Sequence, residues 1–181
     1  MKLLIASDIH GDLDSIEKVL SAYKKEECDK LLLLGDLLYH GPRNDLPNTY
    51  APKAVIELLN TNKDDLICVR GNCDTEVDQM VLNFPILADY SCIFVDGLRI
   101  FATHGHHHNT QTPPPIRKGE ILLHGHTHVL KCEEFGEGNF YLNPGSAALP
   151  KEGNPRTYMV YENRTFTIKD FDGNTILAKT F

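Results

Sequence analysis

The sequence lacks the features that mark several large protein classes. Its five cysteines are odd in number and contain no C-x-x-C pair, which argues against a disulfide framework and a structural zinc site and predicts a reducing cytoplasm. No apolar run is long enough to cross a membrane, and the apolar start, residues 1–6, is too short for a signal peptide. We therefore expect a cytoplasmic protein with no membrane partner.

Positive charge is also scarce. The chain has 18 Lys and Arg against 25 Asp and Glu, a formal net charge of -7. This argues against a broad surface for long nucleic acid, whose phosphates attract many cations. A small phosphorylated substrate remains compatible with it, because bound cations could reverse the local field. No repeat, low-complexity tract or linker interrupts the 181 residues, so we expect one domain over residues 1–181.

The most informative apolar segment is Leu31–Leu34, which Gly35 and Asp36 follow. Four consecutive leucines predict a strand that is buried on both faces. Asp36 lies just past the carboxyl end of this strand, where ligands gather in sheets wound this way. Taken alone, Asp36 could equally be a loop residue that caps the next turn.

The first third of the chain alternates between strand and helix patterns. The apolar runs 3–6, 31–34 and 66–69 are separated by segments of helical spacing that begin at Leu13 and Pro52. The order β-α-β-α-β implies parallel strands with crossover helices.

Two local helix signals accompany this pattern. Asp14 followed by Glu17 predicts the start of the first helix. Val77, Met80 and Val81 predict a short third helix.

The pattern changes after about Pro85. Asp96-Gly97 predicts a hairpin turn, and the strands of this half are predicted to be mostly antiparallel. Two packed sheets with outer helices account for the order of elements.

Five of the predicted strands end in turns that carry possible metal ligands. These are Asp8 and His10, Asp36, Asn72, His104, and His126 with His128. Carboxylate, amide and imidazole groups together suit manganese, iron, zinc and similar ions. Seven ligands are too many for one site that must also admit substrate, and fit two ions that share a bridging carboxylate. A lone Asp-x-His pair is more often only a turn, and His106–His108 is interpreted as a solvated loop.

The order of these turns resembles the signature of the calcineurin-like metallophosphoesterases, which is D-x-H, G-D, G-N-[HC]-[DE], H and G-H-x-H. Here the signature stands as Asp8-Ile9-His10, Gly35-Asp36, Gly71-Asn72-Cys73-Asp74, His104 and Gly125-His126-Thr127-His128. Within that family the chain is most similar to the small bacterial YfcE-type phosphodiesterases. Their His-Gly-Pro-Arg-Asn loop recurs at residues 40–44, and their Asn-Pro-Gly-Ser at residues 143–146.

The resemblance implies an α/β fold: a two-sheet β-sandwich flanked by helices (α/β/β/α), with a dinuclear metal site at the carboxyl ends of the strands. It assigns Asp8, His10 and His128 to the first ion. It assigns Asn72, His104 and His126 to the second, with Asp36 bridging both. The expected ions are divalent, most favourably Mn²⁺, with Zn²⁺, Fe²⁺, Ni²⁺ and Mg²⁺ as alternatives. The implied reaction is attack on the phosphorus of a small phosphodiester by a hydroxide between the ions, with no covalent enzyme intermediate.

The predicted catalytic residues are Asn72, Cys73 and Asp74, which the resemblance implies, and Arg43, whose loop directly follows Asp36. Many members of the wider family have His where this chain has Cys73, and that His is credited as the acid for the leaving alkoxide. A thiol, whose ordinary pKa is about 8.5, is a poorer proton donor than an imidazolium. We therefore expect slower turnover and a preference for diesters with acidic leaving groups.

Several roles near the motifs stay open at this point. Asp74 orients either a neighbouring ligand or Cys73. Arg43 either contacts the substrate phosphate or holds its own proline-rich loop. His124 is predicted to support a metal ligand through its second ring nitrogen. His40 and Asn143 either line the substrate cleft or shape it.

Two other functions compete with the phosphodiesterase. One is a protein-interaction scaffold like a retromer subunit that resembles this fold, although such scaffolds have lost ligands that are all present here. The other is a nuclease of the same superfamily, which the missing basic surface argues against. The loops at residues 39–50 and 105–118 would choose the substrate and could support a dimer or tetramer. Neither loop carries a motif that identifies the substrate.

Overall fold

The leucine run lies in the middle of the molecule. In the computed structural model, which describes all 181 residues, Leu31–Leu34 are fully buried. Leu31 and Leu33 belong to the core between a sheet and the helices. Leu32 and Leu34 belong to a second core between two sheets. The prediction of a strand buried on both faces is confirmed, because alternate side chains point to opposite faces of a strand.

Eleven strands form two sheets. The strands are β1 (Leu3–Ala6), β2 (Lys30–Leu33), β3 (Leu66–Cys68), β4 (Tyr90–Val95), β5 (Leu98–Thr103), β6 (Ile121–Leu123), β7 (Lys131–Phe135), β8 (Asn139–Asn143), β9 (Thr157–Glu162), β10 (Thr165–Asp170) and β11 (Thr175–Thr180). The first sheet has the order β11-β10-β9-β1-β2-β3 and the second has the order β4-β5-β6-β8-β7. The helices are α1 (Leu13–Lys25), α2 (Pro52–Thr61) and α3 (Glu76–Gln79), and a single 3-10 turn spans Lys63–Asp65. The predicted two-sheet α/β sandwich is confirmed.

The strand directions predicted from the sequence are correct for the first half of the chain and partly wrong for the second. β1 pairs in parallel with β2, and β2 with β3, as predicted. In the second sheet β5, β6 and β8 are also parallel, so the prediction of mostly antiparallel pairing is wrong for its centre. The reason is β7, an edge strand that returns the chain so that β8 can lie beside β6. Its exposed, charged sequence carries no apolar run to predict it.

Two helix predictions need correction. The N-cap of α1 is Asp12, whose carboxylate accepts a hydrogen bond from the Ser15 amide at 3.1 Å, and Asp14 lies in the first turn. The predicted short third helix is present as the single turn α3, but Val77 on it and Met80 at its C-cap are exposed, so these apolar side chains do not pack into the core. None of the three helices is long and apolar enough to cross a membrane.

Candidate metal centre

The predicted ligands lie in tight turns at one edge of the sandwich. Five of the seven have left-handed backbones, with φ between 51° and 67°: Asp8, His10, Asp36, His126 and His128. This conformation is uncommon for residues other than glycine, and it clusters at functional sites. Backbone hydrogen bonds tie the first two turns together, from the Asp8 amide to the Gly35 carbonyl and from the His10 amide to the Asp36 carbonyl.

Two motif glycines allow these turns to approach each other. A Cβ at Gly71 would overlap the Asp36 carboxylate, and one at Gly125 would overlap the Ser7 hydroxyl and crowd Asp8. Only a residue without a side chain fits these positions. The glycines of G-N and G-H-x-H therefore bring the ligand turns into contact.

The first ligand group brings together Asp8, His10 and His128. The Nε2 atoms of the two histidines are 3.3 Å apart, and they lie 3.6 Å and 3.2 Å from Asp8 Oδ1. Each ring donates Nδ1–H to a backbone carbonyl, of Tyr39 and of Leu149, which leaves both Nε2 lone pairs facing the group.

Asp8 Oδ1 is buried and accepts no hydrogen bond, whereas Oδ2 accepts from Ser7 Oγ and the His126 amide. A buried carboxylate oxygen without a donor, placed among nitrogen lone pairs, is a group that a cation would satisfy.

The second ligand group contains Asn72, His104 and His126. His104 Nε2 lies 3.1 Å from Asn72 Oδ1 and 3.1 Å from His126 Nδ1. His104 donates Nδ1–H to the Leu34 carbonyl at 2.7 Å, so its Nε2 lone pair faces the group. His126 therefore presents Nδ1 where the other histidines present Nε2.

Asp36 lies between the two groups. Its Oδ2 is 3.7 Å from His10 Nε2 and 3.5 Å from His104 Nε2, and its Oδ1 accepts from the Cys73 amide. One carboxylate thus faces histidines of both groups, which is the position that a bridging ligand needs.

The electrostatics of the site favour a cation. Burial opposes ionisation of Asp8, but His10 and His128 outweigh it and hold the pKa of Asp8 well below its usual range. Burial likewise opposes ionisation of Asp36, yet His104 lowers the pKa of Asp36. Burial disfavours the charged form of His104, but the carboxylates of Asp36 and Asp8 raise its pKa to about 9. Two ionised carboxylates therefore lie among the ring nitrogens and hold a proton on His104 in the absence of an ion, the position in which a metal cation would replace that proton.

Asp74 supports the site without facing it. Its buried carboxylate accepts hydrogen bonds from the backbone amides of Asp36, Leu37 and Gly71 at 2.7–2.9 Å. Of the two roles left open, the structure favours orientation of a neighbouring ligand, Asp36. This contact pattern is that of a positioning residue, and a catalytic role for Asp74 stays a prediction.

His124 does not play its predicted part. Its Nδ1 donates to the Gly125 carbonyl at 3.0 Å and its ring stacks on Tyr141, and it forms no hydrogen bond with a predicted ligand side chain. Burial lowers the pKa of His124 to about 4. The G-H-x-H turn is held instead by Asn143, whose amide donates to the Gly125 carbonyl and Thr127 Oγ1. Asn143 therefore shapes the site and does not line the cleft.

An open cavity of about 410 Å³ lies over the ligands. Gly41–Asn44 and Cys73 line it, as do His126–His128. Arg43 is exposed in this cavity and makes no hydrogen bond or ion pair with the protein, which favours a substrate-binding role over a loop-holding one. The sequence did not reveal a second cation here, Lys151, because nothing in its neighbourhood along the chain sets it apart.

The histidine run at residues 106–108 stays outside the ligand groups. His106 is half-buried with its ring 5.4 Å from that of His104, and His107 is exposed. His40 does not line the cavity either, and its ring packs against Tyr39 and Tyr50.

An α/β sandwich with two adjoining ligand groups that share a carboxylate defines the class of dinuclear metallohydrolases. The chain belongs to the calcineurin-like phosphoesterase superfamily, whose domain model matches residues 1–165. It is 44% identical to Phosphodiesterase YfcE of Escherichia coli strain K12, over 99% of this chain and 97% of that one. It is 28% identical to Phosphodiesterase MJ0936 of Methanocaldococcus jannaschii, over 80% and 83% of the two chains.

Solved structures show the same relationship. The YfcE phosphoesterase from E. coli superposes with a TM-score of 0.96 at 43% identity, over 99% of both chains. Vacuolar Protein Sorting 29 from Cryptosporidium parvum superposes with a TM-score of 0.63 at 18% identity, over 99% and 97% of the two chains. The similarity to Vacuolar Protein Sorting 29 is one of fold alone.

Proposed function

We propose that this chain is a metal-dependent phosphodiesterase that hydrolyses a small phosphodiester. The observation that carries the proposal is the position of Asp36 between the two ligand groups, beneath an open cavity. The relatives named phosphodiesterases, at 44% and 28% identity, support it.

In this proposal Asp8, His10 and His128 would hold one divalent ion, Asn72, His104 and His126 would hold the other, and Asp36 lies within reach of both. Two bound ions act as Lewis acids toward phosphate and lower the pKa of water. Mn²⁺ suits the mixture of carboxylate, amide and imidazole donors.

The chain's own groups complete the site. Arg43 and Lys151 bind the phosphate oxygens from the rim of the cavity. Cys73 lines the same cavity, its Sγ lies within 4.8 Å of ligand atoms of His10 and Asp36, and in this proposal it holds a proton for the leaving oxygen.

Three wider predictions accompany this function. Residues 1–181 act as one metallophosphoesterase domain. The cytoplasm is the expected location, in keeping with five free thiols. Self-association into a dimer or tetramer stays a prediction.

The decisive experiment measures hydrolysis of bis(p-nitrophenyl) phosphate together with the metal content of the protein. We expect about two manganese ions per chain and turnover that manganese stimulates and EDTA abolishes. A full metal complement without such turnover would support the scaffold function instead. Faster cleavage of single-stranded DNA than of dinucleotides and cyclic nucleotides would support the nuclease.

A further inference from the structure

A second cavity of about 360 Å³ adjoins the one over the metal ligands. His126 and Thr127 line both cavities, so the G-H-x-H turn forms the wall between them. A phosphate held over the ligand groups would therefore have this second cavity beside it. The volume is in the range of small-molecule binding sites.

The outer wall of this cavity is a loop with its own internal order. Asn109 donates its side-chain amide to the Gly105 carbonyl at 3.0 Å, and its Oδ1 accepts from the amides of Gln111 and Thr112. Asn109 thereby closes the loop on itself. The side chains of Thr110 and Gln111 line the cavity and make no hydrogen bond within the protein, so their hydroxyl and amide groups are available to a ligand.

The charges of this cavity balance. Lys131 and Glu152 are the charged residues that line it, and neither makes an ion pair with the protein. Apolar lining is limited to Val129 and Tyr141. The free hydroxyl of Thr110 and the free amide of Gln111, in a lining with no net charge, suit an uncharged group that carries several hydroxyls, because each hydroxyl needs a hydrogen-bonding partner when it leaves water.

We propose that the second cavity binds one organic arm of the phosphodiester, and that this arm is an uncharged, hydroxylated group of about the size of a sugar. The proposal rests on the proposed function, because the phosphate joined to the arm must bind over the metal ligands. It names Thr110 and Gln111 as specificity-determining residues.

Calorimetric titration of the manganese-loaded protein with three phosphate monoesters tests the arm separately from turnover. Ribose 5-phosphate carries the expected arm, ethyl phosphate lacks its hydroxyls, and ethanolamine phosphate carries a cation. We expect the Kd of ribose 5-phosphate to be about tenfold lower than that of the other two, the equivalent of one or two hydrogen bonds. The double variant Thr110→Val/Gln111→Ala should lose this difference, whereas Thr175→Val, on the exposed edge strand β11, should keep it.

Equal Kd values for ribose 5-phosphate and ethyl phosphate would refute the proposal that the cavity binds a sugar-sized arm. So would a double variant that still binds ribose 5-phosphate about tenfold more tightly than ethyl phosphate. Tighter binding of ethanolamine phosphate would show that the cavity selects a cationic arm. Hydrolysis of bis(p-nitrophenyl) phosphate by the same preparation separates the two proposals. If manganese-dependent hydrolysis is present and the Kd values are equal, only the arm is wrong; if hydrolysis is absent, both proposals fail.

Discussion

Asp36 is constrained at each of its polar groups. Its backbone amide donates to Asp74, its Oδ1 accepts from the Cys73 amide, and its Oδ2 faces His10 and His104. Its left-handed φ of 56° sets the direction in which the side chain leaves the strand. A side chain held in this way is pre-organised to bind cations, because it loses little conformational entropy when an ion binds.

Asp36→Asn tests this position at the residue scale. The amide keeps the size of the carboxylate and removes its charge, so the fold should persist while metal binding weakens. We expect activity to fall by more than about 100-fold, since removing even supporting residues of metal sites costs 10–100-fold. Metal content, turnover and circular dichroism would be measured, with Asp172→Asn in an exposed turn as the control. A fully active variant would contradict the bridging role.

A second prediction concerns Arg43 and Lys151, the two cations at the rim of the cavity. Arg43→Met and Lys151→Met each remove a charge that no protein group neutralises, and each retains much of the side chain's volume. We expect KM to rise by about tenfold for each, with kcat changing less, because the charge contacts the phosphate in the ground state and the transition state alike. Steady-state kinetics at two salt concentrations would measure this. Unchanged KM in both variants would return Arg43 to a structural role.

A third prediction concerns Cys73 as the proton donor to the leaving group. Burial, with help from Asp36, raises the pKa of the Cys73 thiol, which makes it a weaker proton donor than a free thiol. Cys73→His should therefore speed cleavage of an alkyl diester more than that of a nitrophenyl diester, whose leaving group needs little protonation. Turnover on both substrates would be compared with that of Cys132→His on edge strand β7. Unchanged rates on both substrates would refute this role of the thiol.

At the scale of the element, the N-cap of α1 is Asp12 and not Asp14. Asp12 accepts from the Ser15 amide and from Thr49 Oγ1, whereas Asp14 forms ion pairs with Lys18 and Arg156 at the surface. The cap therefore joins α1 to the segment before α2. Surface ion pairs contribute much less to stability than a buried cap does.

Alanine variants of these two residues should separate the roles. Asp12→Ala should lower the free energy of unfolding by about 1–2 kcal/mol through loss of the cap. Asp14→Ala should lower it by about 0.5 kcal/mol or less. Urea denaturation of the two variants under the same conditions makes the comparison. A larger loss for Asp14→Ala would restore the cap expected from the sequence.

At the scale of the whole molecule, the ligands come from both sheets. Asp8, His10, Asp36 and Asn72 follow strands of the first sheet, whereas His104, His126 and His128 follow strands of the second. Ions bound among them would cross-link the two layers of the sandwich. Binding that requires the folded protein stabilises it by mass action.

Metal removal should therefore lower thermal stability. With manganese at 100 times its Kd, we expect about 2.7 kcal/mol of added stability for one site, observed as a higher Tm. EDTA should reverse this shift, and Asp36→Asn should show a smaller one. Thermal unfolding followed by circular dichroism would measure all three. A Tm that does not respond to manganese in the native protein would contradict a metal site built across the sheets.

Much of this architecture was predictable from local pattern. Leu31–Leu34 encodes a buried strand because a continuous apolar run has no solvated face. The turns after β1, β2, β3, β5 and β6 could be recognised because each pairs an apolar run with polar residues that occur in a fixed order. Edge strand β7 could not be recognised, since exposed charged residues have no period to detect.

The sequence by itself determined which chemical groups are available and which strands carry them, because apolar periodicity and motif order are properties of the chain. Only the tertiary structure decided how those groups face one another. The support of Asp36 by Asp74, the separation of His124 from the ligands and the arrival of Lys151 at the cavity depend on contacts between distant segments. Such contacts form when two sheets pack, and no local spacing along the chain encodes them.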